Sequence, residues 1–227
     1  MALAALALVF LLWYPAPLHE AVGVTHIFLL LLGVDVIIGP CLTAVVARPG
    51  KERKKLLFDI SIIVTVQLAA FLYGMHTVAE GRPLWLVLNV DRFTLVRAPD
   101  MDTRRLDDAL PEYRQPRWDG PQWVFAPLPT DLEASNALTF ESVFDGVDIY
   151  QRPEFYRPLA EGRSLMQAKA LPLDKLEPLN AEDDVRRILD AHPDADAWLP
   201  LMSKQPMVVL LRKEEGKVVA IVDLRPW

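Results

Sequence analysis

Three long apolar runs open the chain, over residues 1–14, 26–47 and 56–78. Nothing like them recurs afterwards, where short apolar stretches alternate with charged and proline-punctuated ones. At 1.5 Å per residue a helix over 26–47 reaches ~33 Å, enough to cross a hydrocarbon core, and the run over 56–78 is as long. The first run makes only ~21 Å of helix. It lacks a basic lead, and Pro15 and Pro17 behind it make a poor cleavage site. It is therefore expected to be a first span whose start lies upstream of Met1, with a cleaved signal as the alternative. The pattern predicts a membrane protein in which three transmembrane α-helices within residues 1–80 are followed by an α+β extracytoplasmic domain over 81–227.

In that domain residues 84–90 and 93–96 read as strands around Asp91 and Arg92, so the sheet starts directly outside the membrane. A short helix is expected over 102–110, a strand over 123–126 and a helix over 130–144. Residues 152–178 read as proline-broken loop with one turn of helix, and Asn180 as the N-cap of a helix ending near Ala191. Residues 207–211 and 218–222 predict a hairpin whose turn contains Gly216.

Arg48, Lys51, Arg53, Lys54 and Lys55 form the single basic cluster beside any span. The bias of basic loops toward the cytoplasm makes these five the topology determinants, placing 48–55 inside and everything after Val78 outside. The loop 15–25 has no Lys or Arg and fits the outer face, and Trp13 and Tyr14 stand where an interfacial aromatic belt belongs.

Polar residues inside the spans point to packing. Asp35 lies ~13 Å deep by helical rise, near the bilayer midplane, where a carboxyl must face protein. Asp35, Gly39, Thr43 and Ala47 recur at i+4 and form one small and polar stripe, while Asp59, Ile63, Gln67, Ala70 and Gly74 form another on the next span. Antiparallel helices would bring Gln67 to the depth of Asp35, and Asp59 to that of Thr43. Pro40 removes a helical N–H and predicts a kink beside Asp35. A structural or partner-docking role is favoured over ion or proton conduction, because three spans without an internal repeat do not resemble a transporter. Cys41 reads as a small packing residue.

Charge and composition narrow the chemistry. The first 80 residues carry five basic and five acidic groups, so the formal charge of −6 belongs entirely to 81–227, which argues against nucleic acid as a partner. One cysteine and four scattered histidines exclude a disulfide framework and make a metal site unexpected. There is no phosphate loop or nucleophile elbow. His192, the outer domain's one histidine, reads as a helix-end residue, and Asp107, Asp108, Glu182, Asp183 and Asp184 as solvated helix faces. Trp118, Trp123, Tyr150, Phe155 and Tyr156 are expected in the core, with a partner groove as the alternative. No enzyme and no cofactor are expected.

WYPAPL at Trp13 to Leu18, LLLLGVDVIIGPCLT at Leu29 to Thr43, Pro49-Gly50-Lys51, KKLLFD at Lys54 to Asp59, QLAAFLYGMHTVAEGRPLWLV and the closing DLRPW occur in this order. Together they resemble the TfpX/TfpZ family of type IV pilin accessory proteins, over the whole chain and most strongly over 11–97. The resemblance implies a longer, basic lead into the first span than this sequence has. It also implies a multi-pass protein of the bacterial inner membrane with its C-terminal domain in the periplasm. Such a protein helps the type IV major pilin become surface pili, with other pilus assembly components and membrane lipid as further partners. A rival reading is a membrane-anchored periplasmic ligand-binding or sensor module, although a sensor should have a cytoplasmic output domain and only the basic loop lies on that side.

Overall fold

The computed structural model describes residues 2–46 and 52–227. Arg48 and Lys51, and the side chain of Asp35, lie outside the described residues. The first helix, α1 (Ala2–Ala7), widens into π-type turns over Leu8–Trp13 and stops where the Tyr14 N–H bonds the Val9 carbonyl at 2.7 Å. Together these segments make ~18 Å of helix. Among the described residues two helices are long and apolar enough to cross a membrane, α3 (Val24–Val46) and α4 (Arg53–Glu80), and the run expected as a first span forms a shorter apolar helix. Between α1 and α3 lies a short helix, α2 (Leu18–Val22). Gly23 joins α2 to α3 with φ of 74°, a left-handed conformation that glycine takes without penalty, and its N–H closes α2 on the carbonyls of His19 and Glu20.

The three helices meet at one end. Ala5, Val9, Trp13 and Tyr14 from the first helix, Val24 and Phe28 from α3, and Val78 from α4 form a buried cluster, with Phe71 and Met75 against it. α3 continues unbroken through Pro40. Away from the cluster the outer faces are apolar and exposed, as at Leu30, Ile37, Phe58 and Val66.

Two residues past α4 the chain enters a sheet of eight strands. β1 (Pro83–Asn89) and β2 (Arg92–Arg97) form an antiparallel hairpin, and β3 (Gln122–Phe125) joins β1 in parallel. The short β4 (Arg157–Pro158) lies at that edge. On the other side β6 (Ala197–Met202) joins β2 in parallel, followed by β7 (Met207–Arg212) and β8 (Lys217–Val222), giving the order β4-β3-β1-β2-β6-β7-β8. β5 (Leu171–Pro172) pairs with the start of β6.

Both faces of this sheet are covered, which is why its strands read as continuous apolar runs rather than alternating ones. Leu86, Leu88, Phe93, Leu95, Leu199, Leu201, Val209 and Leu211 line one face, with Met166 from α7 (Arg163–Lys169). Leu18 and Ala21 of α2 complete the same cluster, so the segment between the first two helices is packed into the core of the sheet domain. The Gln205 N–H bonds the Ala21 carbonyl at 2.9 Å. On the opposite face Trp85, Val87, Val96 and Tyr156 form one cluster. Trp198, Val208 and Leu210 form a second with Val185 from α8 (Glu182–Ala191).

Several local expectations need correction. Residues 102–110 hold one 3₁₀ turn, Leu106–Asp108, and α5 (Pro111–Arg114) follows it. Asn180 does not cap α8. Its side chain bonds Leu176, Arg225 and the Arg225 N–H, pinning the chain end, and Ala181 takes the N-cap position. The stretch 152–178 contains two short strands and α7. β6 has no counterpart among the expected strands; its Pro200 sits between the part of β6 that pairs with β5 and the part that pairs with β2, where no strand faces that edge.

Candidate docking surfaces

The face between α3 and α4 is built on small residues. Gly39 is buried, and a methyl group placed on it would overlap the side-chain amide of Gln67. Thr43, one turn on, is half-buried, and its hydroxyl donates to the Gly39 carbonyl of its own helix at 2.9 Å. On α4 Asp59, Ile63, Gln67 and Phe71 are among the half-buried positions and Gly74 is buried, whereas Ala70 is exposed and Phe71 takes the inward place expected for it. Pro40 and Cys41 point outward. Arg53, Lys54 and Lys55 are exposed at the start of α4, the end remote from the sheet. Because α2 and β1 are both part of the sheet domain, the pair formed by α3 and α4 leaves that domain and returns to it, and Arg53, Lys54 and Lys55 sit at the end of α4 remote from it.

A second surface was not legible as such. The helix α6 (Leu132–Asp145) carries its apolar residues outward, with Leu132, Phe140, Val143 and Phe144 between 64% and 76% exposed. The Phe140 and Phe144 rings stack with centroids 5.8 Å apart. Toward the domain α6 turns Leu138 and a row of polar groups. Glu141 pairs with Arg152, whose guanidinium is buried, and lies 3.6 Å from Arg105. Asp145 accepts from Arg104 at 3.0 Å, and Ser142 donates to Asp148 at 2.6 Å. Arg104 also grips Asp102, and that guanidinium holds the Asp102 carboxyl below the usual carboxylate range. Surface helices normally bury the apolar stripe and solvate the charged one. This helix is held the other way round, with Glu141 and Asp145 spent on attachment and its hydrophobic side, where Glu133 also lies exposed, left open. The sequence gives Arg152 no distinguishing signal, since it precedes a proline in what reads as loop.

The remaining expected residues are dispersed. Tyr156 is fully buried and donates to the Tyr150 carbonyl at 2.6 Å, Trp123 packs edge-on against Phe93, and Phe155 is partly buried. Tyr150 lines two adjoining open clefts of about 390 and 340 Å³ along β2, with Thr94 and Met202 common to both. Asp107 and Asp108 are exposed, and Glu182 and Asp184 pair with Arg186 and Arg187 along α8. The His192 N–H closes α8 on the Leu189 carbonyl. Among the described residues no group of three or more His, Cys, Asp or Glu side chains is placed to hold a metal.

Compared with proteins of known name, the chain is 31% identical over 229 residues to the fimbrial assembly protein of serogroup E1 of Dichelobacter nodosus, covering 97% of this chain and 89% of that one. It is 32% identical over 222 residues to the serogroup I protein of the same organism, covering 94% and 86%. The fimbrial assembly protein of serogroups C1 and C2 matches over 105 residues at 36%, covering 46% of this chain and 77% of its own. No family model and no solved structure matches the chain.

Proposed function

The chain belongs to the family of fimbrial assembly proteins, and from that premise we propose that it is an accessory factor of type IV pilus biogenesis, of the TfpX/TfpZ kind, acting by contact and not by catalysis. It resides in the bacterial inner membrane as a multi-pass protein, with α3 and α4 crossing and the sheet domain in the periplasm. The orientation is supported by Arg53, Lys54 and Lys55 at the end of α4 remote from the sheet, which the positive-inside bias assigns to the cytoplasm. Its partner is the major pilin, which it assists or regulates on the way into or out of the fibre.

One observation carries the reading: the inverted α6. An exposed cluster of Leu132, Phe140, Val143 and Phe144 is too apolar to be left to water without a partner, while Glu141 and Asp145 on the other side of the helix are engaged in fixing it. A photo-crosslinking amino acid at Phe144 in native membranes should capture the major pilin, whereas one at Glu214 on the β7–β8 turn should not. Capture of this chain alone, or of pilin equally from both positions, removes the assignment. The orientation is checked separately by reporters: a cytoplasmic reporter should work at Gly50, and an export-dependent one after Trp227.

A further inference from the structure

The loop between α5 and β3 is tied to the place where the membrane helices meet the sheet domain. Gly120 has φ of +123°, and a Cβ there would stand 3.1 Å from the Leu12 carbonyl oxygen, so glycine alone lets this backbone come so near the end of the first helix. The Trp118 ring lies 6.1 Å from that of Trp13. The guanidinium carbon of Arg82, two residues beyond α4, is 3.9 Å from the Trp118 ring centroid, within cation–π range. Arg82 in turn donates to the Ala79 carbonyl in the last turn of α4 at 2.8 Å.

These contacts fix the loop but do not bury its largest side chain. Trp13 and Arg82 are 7% and 8% exposed, while Trp118 is 63% exposed. Its neighbours Arg117 and Asp119 are exposed and paired with each other, which forbids entry into hydrocarbon. An indole framed by charges, held level with the exits of α1 and α4, has the composition of the membrane–water boundary, where tryptophan keeps its ring in the apolar zone and its N–H wet.

We propose that Trp118 is an interfacial anchor: its indole lies in the headgroup layer of the phospholipid bilayer and fixes the sheet domain over the exits of its own helices. The occupant of this exposed face is lipid, not protein. The proposal rests on α3 and α4 crossing the bilayer, so the test reports the two separately. The full chain with Cys41→Ser is reconstituted in vesicles of phosphatidylethanolamine and phosphatidylglycerol, with single spin labels at Leu30→Cys, Val66→Cys, Trp118→Cys or Glu214→Cys. Collision with oxygen relative to a water-soluble nickel chelate gives the depth of each label. Labels at 30 and 66 should favour oxygen, the label at 214 nickel, and the label at 118 should fall several-fold above 214 in that ratio.

If 118 matches 214 while 30 and 66 are lipid-exposed, the anchor is refuted and the spans stand. If 30 and 66 also match 214, both fall. A second measurement keeps the native loop: acyl-brominated lipid should quench part of the tryptophan emission of the unlabelled protein, and Trp118→Phe should lose a share of that quenched component that Trp227→Phe does not. Equal loss in the two variants overturns the proposal.

Discussion

The Tyr14 hydroxyl donates a 2.8 Å hydrogen bond to the carbonyl of Val78, 64 positions along the chain. The reason lies in how α4 ends. Its closing turn tightens, with the Gly81 N–H on the Thr77 carbonyl and the Arg82 N–H on that of Ala79, which passes over the Val78 oxygen. A carbonyl orphaned at a helix C-terminus needs a partner, and the first helix supplies one.

Tyr14→Phe keeps the buried ring and removes that donor. The Val78 oxygen then stays buried and unpaired, a penalty of roughly 1–3 kcal/mol. Thermal unfolding in detergent should show lower stability, and protease should release the first helix sooner. A variant as stable as the parent would mean that water or lipid reaches Val78.

Gly39 and Gln67 set the spacing of α3 and α4. A methyl on Gly39 meets only the far end of a flexible side chain, so Gly39→Ala should cost less than about 1 kcal/mol and Gln67→Ala should restore it. Gly39→Leu offers no such escape and should cost about 1–3 kcal/mol, the range for overpacking. Helix separation read by cysteine crosslinking between α3 and α4 distinguishes the two. Equal effects from Ala and Leu would place Gly39 outside the contact.

What the sequence made legible follows from the length of its signals. The apolar runs of α3 and α4 and the hairpin of β7 and β8 are written in local periodicity. Three features are not. Leu18 and Ala21 belong to the sheet core through contacts across nearly the whole chain, which no local pattern encodes. β6 contains a proline that reads as a break until its split edge is known. α6 was expected as a helix, but which side it presents depends on Arg104, Arg105 and Arg152, and those arrive from elsewhere in the sequence.

The role of Leu18 can be measured. It is 2% exposed in a cluster with Leu86, Phe93 and Leu201 that, apart from Ala21 and Val22 beside it, is made by residues of the sheet domain. Leu18→Ala should destabilise that domain by about 2–5 kcal/mol, the usual cost of a buried Leu→Ala change. Limited proteolysis should then cut within residues 81–227 faster, although the substitution lies outside them. Unchanged cleavage would show that α2 rests on the sheet without supporting it.

Glu154 gives the sheet domain a pH response. One of its carboxylate oxygens is buried without a hydrogen-bond partner, and burial pushes its pKa above the usual carboxylate range, more than Arg152 and Arg105 nearby pull it down, with Asp102 adding to the rise. The folded state therefore keeps this proton to higher pH than the unfolded chain does. Stability from the group is complete at acid pH and is lost as pH rises through the two values. Glu154→Gln retains the shape and cannot ionise. Its melting temperature should exceed the parent's by more at about pH 8 than at about pH 3, below the ordinary glutamate pKa of about 4.3. A gap that shrinks or reverses on going to pH 8 would mean that attraction to Arg152 outweighs burial, and that the ionised carboxylate is the form the fold prefers.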